Sequence, residues 1–208
     1  NSAFRNCGGL VSIKLPSKIS QLGDYAFADC ENLESANFSS NVAINLTTFE
    51  NDTKLKTLNS DACYFDGVVI YNTEKTKLIG VYDHTLSEYT GILETVTEIG
   101  EHAFNGCTNL TEINLPSGLI SVGDSAFCDC KKLKLNDLPD QLASIGVKAF
   151  LNCSSITIQS LPSTLKSIGE QAFANCKGIT TLTIQSLPST LKSIGEQAFA
   201  NCKGITTL

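Results

Sequence analysis

Methionine and tryptophan are absent from this chain, and histidine occurs only twice in its 208 residues. A core made without the first two must draw on leucine, isoleucine, valine and phenylalanine. Apolar residues make up 42% of the chain, enough to bury one elongated domain. With His84 and His102 as the only imidazoles, a Ser-His-Asp or Cys-His machine would have to use one of them, and neither stands near a nucleophile motif. Lysine and arginine are scattered and number 15 against 21 aspartates and glutamates, for a net charge of −6. Nucleic acid is therefore an unfavourable partner, since its phosphates call for a basic stripe. No apolar run approaches the length of a membrane span. There is no glycine-rich phosphate loop, and Cys128-Asp129-Cys130 is not a zinc spacing and has no second cysteine cluster to complete it. These absences leave no catalytic, metal or cofactor residue to assign. The chain reads as a non-enzyme.

What is present is repetition. Residues 157–182 recur without change as residues 183–208. A perfect tandem copy marks a repeat protein whose array changed length by recombination too recently for the copies to diverge. Repetition on this scale fixes architecture before any motif does and biases function towards binding. One landmark, Ala-Phe-x-x-Cys, runs along the chain. Its phenylalanines are Phe4, Phe27, Phe104, Phe127, Phe150, Phe173 and Phe199, and its cysteines Cys7, Cys30, Cys107, Cys130, Cys153, Cys176 and Cys202. Phe49 with Asp52 forms a degenerate copy that lacks both the alanine and the cysteine.

The clearest unit, from Cys107 to Cys130, assigns a task to each position. Leu110, Ile113 and Leu115 at spacings of three and two, followed by Pro116, are too irregular for an amphipathic helix. They predict a short strand ended by a proline that cannot donate to a ladder. Leu119 and Val122-Gly123 predict a second extended piece, whose glycine serves either a positive φ or a close approach between turns. One unit cannot bury its own apolar face. Stacked copies about 4.8 Å apart can, with like residues forming ladders. The units after Cys130 (Leu133, Leu135, Leu138, Pro139) and after Cys153 (Ile156, Ile158, Leu161, Pro162) break the leucine spacing, which leaves their register open by a residue or more.

The pattern L-P-x-x-L-x-x-I-G-x-x-A-F-x-x-C resembles the BspA-type leucine-rich repeat, or Treponema pallidum class, over nearly the whole chain. The resemblance implies a mainly β repeat solenoid, right-handed and curved, with short strands on the concave face and a β-hairpin insert. The interruption after residue 58 fits that insert, since Asp66–Tyr71, a polar turn and Lys77–Tyr82 read as its two arms. The chain is expected to be one solenoid over residues 1–208, with repeats at 1–58 and 95–208 and the insert at 59–94. It begins and stops mid-unit without a recognisable cap and reads as part of a longer array, with export signal and anchor outside this segment. Family members are mostly cell-surface or secreted, and their known roles are adhesive. The resemblance thus implies binding of host or cell-surface proteins at the cell surface or outside it, with no cofactor. The alternative is a structural module that forms homo-oligomers through open solenoid ends.

Seven of the nine cysteines lie on the landmark. Rungs about 4.8 Å apart exceed the roughly 3.5–4.5 Å between Cβ atoms that a disulfide needs. They predict buried free thiols, whereas Cys63 and Cys128 lie off the ladder and are the better candidates for reactivity or bridging. On the strand face the outward positions are Ser12 and Lys14, Ser35 and Asn37, and Glu112 and Asn114, with Thr181 and Thr183 as their counterparts in the 26-residue turn. This stripe is polar and lacks aromatic anchors, so it suits shallow multivalent contact or a solvated face equally. The insert gathers Tyr64, Phe65, Tyr71, Tyr82, His84 and Tyr89, which suit either recognition or packing of the hairpin onto the solenoid. Five Asn-x-Ser/Thr sequons, at Asn37, Asn45, Asn51, Asn109 and Asn152, matter only in a eukaryotic exported protein.

Overall fold

The computed structural model describes residues 1–38, 42, 46–52, 54–60, 63–180 and 187–203. The chain is a mostly β solenoid and comprises two compact units, Asn1–His84 and Thr85–Leu208. The division falls inside the segment expected to form the insert, because the hairpin packs with the first unit. Thr181 and Thr183 lie outside the described residues.

In the first unit, β1 (Ser12–Lys14), β2 (Ser35–Asn37) and β3 (Thr57–Asn59) form a parallel ladder with Ile13, Ala36 and Leu58 in register. These are the strands the leucine spacing predicts. A 3-10 turn at Leu46–Phe49 carries the degenerate landmark. The insert is a three-stranded antiparallel meander, β4 (Tyr64–Asp66), β5 (Val69–Tyr71) and β6 (Lys77–Val81). The expected first arm is split because Gly67, at φ +64°, and Val68 form a two-residue turn joining the paired Asp66 and Val69. Ile70 and Tyr82 then join the core of Phe27, Leu33, Phe49 and Leu58.

The second unit uses its strands differently. The strands β8 (Glu98–Ile99), β10 (Ser121–Val122), β11 (Ser144–Ile145), β12 (Ser167–Ile168) and β13 (Ser193–Ile194) pair in parallel, each one turn from the next. Among the described residues the expected leucine strand appears only as β9 (Glu112–Ile113), paired with β7 (Glu88–Tyr89). After Cys130 it forms no strand, because Leu-x-Leu-x-x-Leu cannot match the Leu-x-x-Ile-x-Leu of the preceding turn, and after Cys153, where the spacing repeats that of the Cys130 turn, it forms none either.

Of the two uses left open for the repeat glycine, close approach is the one realised. A Cβ at Gly169 would lie 2.5 Å from the backbone of Gly146 and Val147, and one at Gly123 only 2.7 Å from the Glu101 nitrogen; neither glycine has a positive φ. Gly169→Ala is expected to destabilise the second unit by about 2–3 kcal/mol, since only backbone movement can make room. Gly118→Ala, with nothing within 4 Å of its Cβ, is the control. Urea unfolding should find it neutral or slightly stabilising, by up to about 1 kcal/mol.

Positive φ falls on other residues. The residue before each Ala-Phe (Tyr25, His102, Ser125, Lys148, Gln171 and Gln197) has φ between 52° and 56°, and so has Ser2 at 55°. A second left-handed position precedes each landmark cysteine, and it holds Asn6, Asp29, Gly106, Asp129, Asn152, Asn175 and Asn201. These are the residue types that tolerate this conformation best.

Phenylalanine forms the spine of each unit. In the second, Phe104, Phe127, Phe150, Phe173 and Phe199 stack with centroids 5.1–5.2 Å apart and planes within 8° of parallel. In the first, Phe4, Phe27 and Phe49 stack at 5.2 and 5.6 Å.

Candidate binding surface

The landmark cysteines do more than fill space. All nine cysteines are free thiols. Cys30, Cys130, Cys153, Cys176 and Cys202 each donate from Sγ to the carbonyl of the phenylalanine one turn earlier, at 2.9–3.1 Å. A weak donor thus adds a second bond to the carbonyls of Phe104, Phe127, Phe150 and Phe173, each of which already accepts from the cysteine amide of its own turn. Burial pushes the Cys130, Cys153 and Cys176 thiols far up, away from the reactive thiolate. The off-ladder pair is no more activated. Cys63 is buried and raised by that burial, and Cys128 is pushed up to about 11 by burial and then by the charge of Asp129. In native protein at pH 8, an aromatic disulfide reagent is expected to modify at most the two half-buried thiols, Cys7 and Cys128. Rapid loss of a third thiol before unfolding would contradict the buried ladder.

Beside the thiols runs an amide ladder that composition and spacing alone did not reveal. Asn152 donates to Asp129 at 2.9 Å, Asn175 to Asn152 and Asn201 to Asn175 at 2.8 Å. In the first unit Asn51 donates to Asp29 at 2.8 Å, and Arg5 pairs with the same carboxylate at 2.8 Å. Those two bonds, Asn51's first, hold the Asp29 carboxyl below its ordinary range. The signal was available as Asn, Asp or Gly before every landmark cysteine. The sequon asparagines Asn51 and Asn152 belong to this ladder, and Asn109 accepts from Lys132 at 2.9 Å. Asn45 lies outside the described residues.

Asp52 is the exception among the landmarks. It is fully buried; Oδ1 accepts from the Cys30 amide at 2.7 Å, and Oδ2 has no hydrogen-bond partner. Burial raises its carboxyl to about 7, offset in part by the Cys30 amide.

The structure sorts the expected binding residues. Ser12 and Lys14 are exposed on β1, Ser35 and Asn37 half-buried on β2, and Asn59 of β3 donates to Asn37 at 2.6 Å. Glu112 and Asn114 are exposed in the second unit. Tyr71 and Tyr82 are corrections: both are fully buried. Tyr71 faces inward because all three residues of β5 are covered. Tyr82 stacks on Phe65 and places its hydroxyl at the carbonyls of Leu55 and Gly67, 2.8 Å away in the latter case. A buried phenol anchors the meander and contacts no partner. His84 and Tyr89 are half-buried, and His102 is exposed. Tyr64 stays half-buried with the Lys75 ammonium 3.7 Å over its ring.

One concavity stands out in the second unit, a groove of about 820 Å³ between residues 113–118 and residues 135–141, with Glu94 on its rim. Among the described residues no group of three His, Cys, Asp or Glu is placed to hold a metal ion. Among them, too, no helix is long and apolar enough to cross a membrane.

The model of the BspA type leucine rich repeat region matches in six copies over residues 1–77 and 80–206. The chain belongs to the BspA-type leucine-rich repeat family. The fold agrees with solved structures of such proteins, at 22–24% identity. A leucine rich cell surface protein of Faecalibacterium prausnitzii superposes with a TM-score of 0.68 and 22% identity over 100% of this chain and 61% of that one. The pneumococcal vaccine antigen PcpA gives 0.61 and 23% over 92% and 55%, and the T. pallidum leucine rich repeat protein gives 0.52 and 24% over 97% and 80%. The chain therefore spans little more than half the length of the first two. No curated protein matches it in sequence. Membership explains why the turn is so regular: a BspA-type repeat is a mainly β turn whose interior is rewritten almost unchanged at each step.

Proposed function

We propose that this BspA-type chain is a non-enzymatic protein-binding module of a cell-surface or secreted protein, and that its role is adhesion. The observation that carries the reading is the division of labour within the turn. The landmark phenylalanine and cysteine and the repeat glycine are taken up by contacts between turns, so what remains outside is a repeated polar display at fixed spacing. In the first unit that display is Ser12, Ser35 and Thr57 in one row and Lys14, Asn37 and Asn59 in the next. Such a surface binds by many shallow contacts to a large partner and offers no enclosed site for chemistry. The names of two neighbours, a cell surface protein and a vaccine antigen, support an extracellular setting.

The test is saturable binding of the purified chain to an array of extracellular-matrix and cell-surface proteins. It is run beside a variant carrying Asp66→Ser and Glu74→Ser on the exposed edge of the meander, which leaves the core residues Ile70 and Tyr82 in place, with mass in solution followed by light scattering. Binding that survives in the variant is expected, since the meander's Tyr71 and Tyr82 are buried and unavailable to a partner. Concentration-dependent assembly without binding to any surface protein would replace adhesion by self-association.

A further inference from the structure

The groove in the second unit has a cause that can be followed bond by bond. The Lys134 amide donates to the Thr111 carbonyl at 3.0 Å, and the next bond between these two turns is from the Ala143 amide to Ile120 at 2.8 Å. Between those anchors, among the described residues, no backbone bond joins residues 112–118 to residues 135–141. The first unit shows what the regular spacing does there: Leu15 donates to Asn37 at 3.0 Å and Phe38 to Asn59 at 2.9 Å. Leu115 stands before its proline as Leu15 does before Pro16, yet its amide, like that of Leu138, has no hydrogen bond among the described residues. The altered leucine spacing has opened a stretch of strand edge without covering it.

The walls have a chemistry of their own. Leu115 and Pro139 are half-buried and form an apolar floor with the edges of Ile113 and Leu138. Glu94, Asp137 and Asp140 stand exposed around it, no lysine, arginine or histidine lines the groove, and none of the three carboxylates is in an ion pair with a described residue. Open backbone amides, a small apolar floor and an unneutralised acidic rim ask for one kind of occupant. It is extended, so that its carbonyls meet the open amides. It carries small apolar side chains on one side and cations on the other.

We propose that this groove docks an extended segment of a partner protein bearing alternating basic and small apolar side chains, added as a strand beside Leu115 and Leu138. The proposal rests on the protein-binding reading above and names where, and to what chemistry, that binding occurs.

The probe is a fluorescent octapeptide of alternating lysine and valine, with a second peptide carrying glutamate for lysine. Titration followed by anisotropy is expected to show saturable binding of the lysine peptide, weakened by salt, and none of the glutamate peptide. Asp137→Asn with Asp140→Asn should weaken binding about tenfold, and Glu101→Gln with Glu170→Gln, which remove equal charge elsewhere in the unit, less than about twofold. Amide exchange at Leu115 and Leu138 should slow on binding. Equal weakening by the two double variants, unchanged exchange or no saturable binding would overturn the proposal. Binding of cell-surface proteins that persists in the groove variant would also remove the groove while leaving adhesion intact. Peptide binding without any surface-protein partner would keep the groove and remove adhesion.

Discussion

Replacing Phe127 by alanine is expected to lower the stability of the second unit by about 3–5 kcal/mol. The ring is fully buried and stacked on both faces, 5.1 Å from Phe104 and 5.2 Å from Phe150, so its loss opens a cavity between two rungs at once. Neither neighbour can slide in to fill it, because each is held in register by its own turn's strand, and thiol bonds run from Cys130 to the Phe104 carbonyl and from Cys153 to the Phe127 carbonyl. Phe4→Ala provides the contrast. That ring is 46% exposed and stacked on one side only, and its loss should cost about 1 kcal/mol. Since solenoid turns couple chiefly to their neighbours, hydrogen exchange should show Phe127→Ala loosening the adjacent turns most. A loss at Phe127 no larger than at Phe4 would show that the stacked rings are not the spine.

The second large effect is one of pH. In the unfolded chain the Asp52 carboxyl gives up its proton near 4, whereas in the folded protein it holds it to about 7. Between those values the folded state binds more protons, so the stability of the first unit is greatest below the lower value. It falls as pH rises through the window and levels off above about 7. Three units of difference correspond to about 4 kcal/mol. Asp52→Cys restores the landmark and removes the titration, so it should match the parent near pH 4 and exceed it by most of that amount at pH 8. Urea midpoints followed by tyrosine emission report on the right unit, since four of the five tyrosines lie before residue 85. Parallel pH profiles for parent and variant would show that Asp52 ionises as an ordinary carboxylate.

The sequence disclosed most where a residue touches its own equivalent one turn away. The phenylalanine stack and the buried thiols were legible because a contact between like positions appears as a period, whereas the glycine period left open which of two uses it serves. It was less explicit where the contact joins unlike positions. Nothing in the spacing of Leu119 and Val122 said that their strand, and not that of Leu110 and Ile113, would run as a ladder through the second unit. That choice depends on how the glycine beside it lets two backbones approach. Tyr71 and Tyr82 sit in an apolar alternation that fits packing and recognition equally, and only the Leu55 and Gly67 carbonyls at the Tyr82 hydroxyl decide for packing. The groove arises from a departure from the period, which the leucine spacing showed, but its open amides and acidic rim come from three segments that no local pattern connects.

The identical final copies bear on how such a chain changes length. Ser167 pairs with Ser193 and Phe173 stacks on Phe199 at 5.2 Å, although the step there is 26 residues and not 23. Each turn carries two different faces, and the upper face of one fits the lower face of the next. It is a head-to-tail interface that never closes on itself. A whole turn inserted anywhere among like turns meets, on both sides, the surface it already fits. Lengthening by unequal exchange therefore needs no new interface to be selected, whereas a single misplaced side chain within a turn is felt on both faces. Array length is the soft variable in this architecture and turn chemistry the stiff one. Between relatives, divergence should show first as a change in the number of turns.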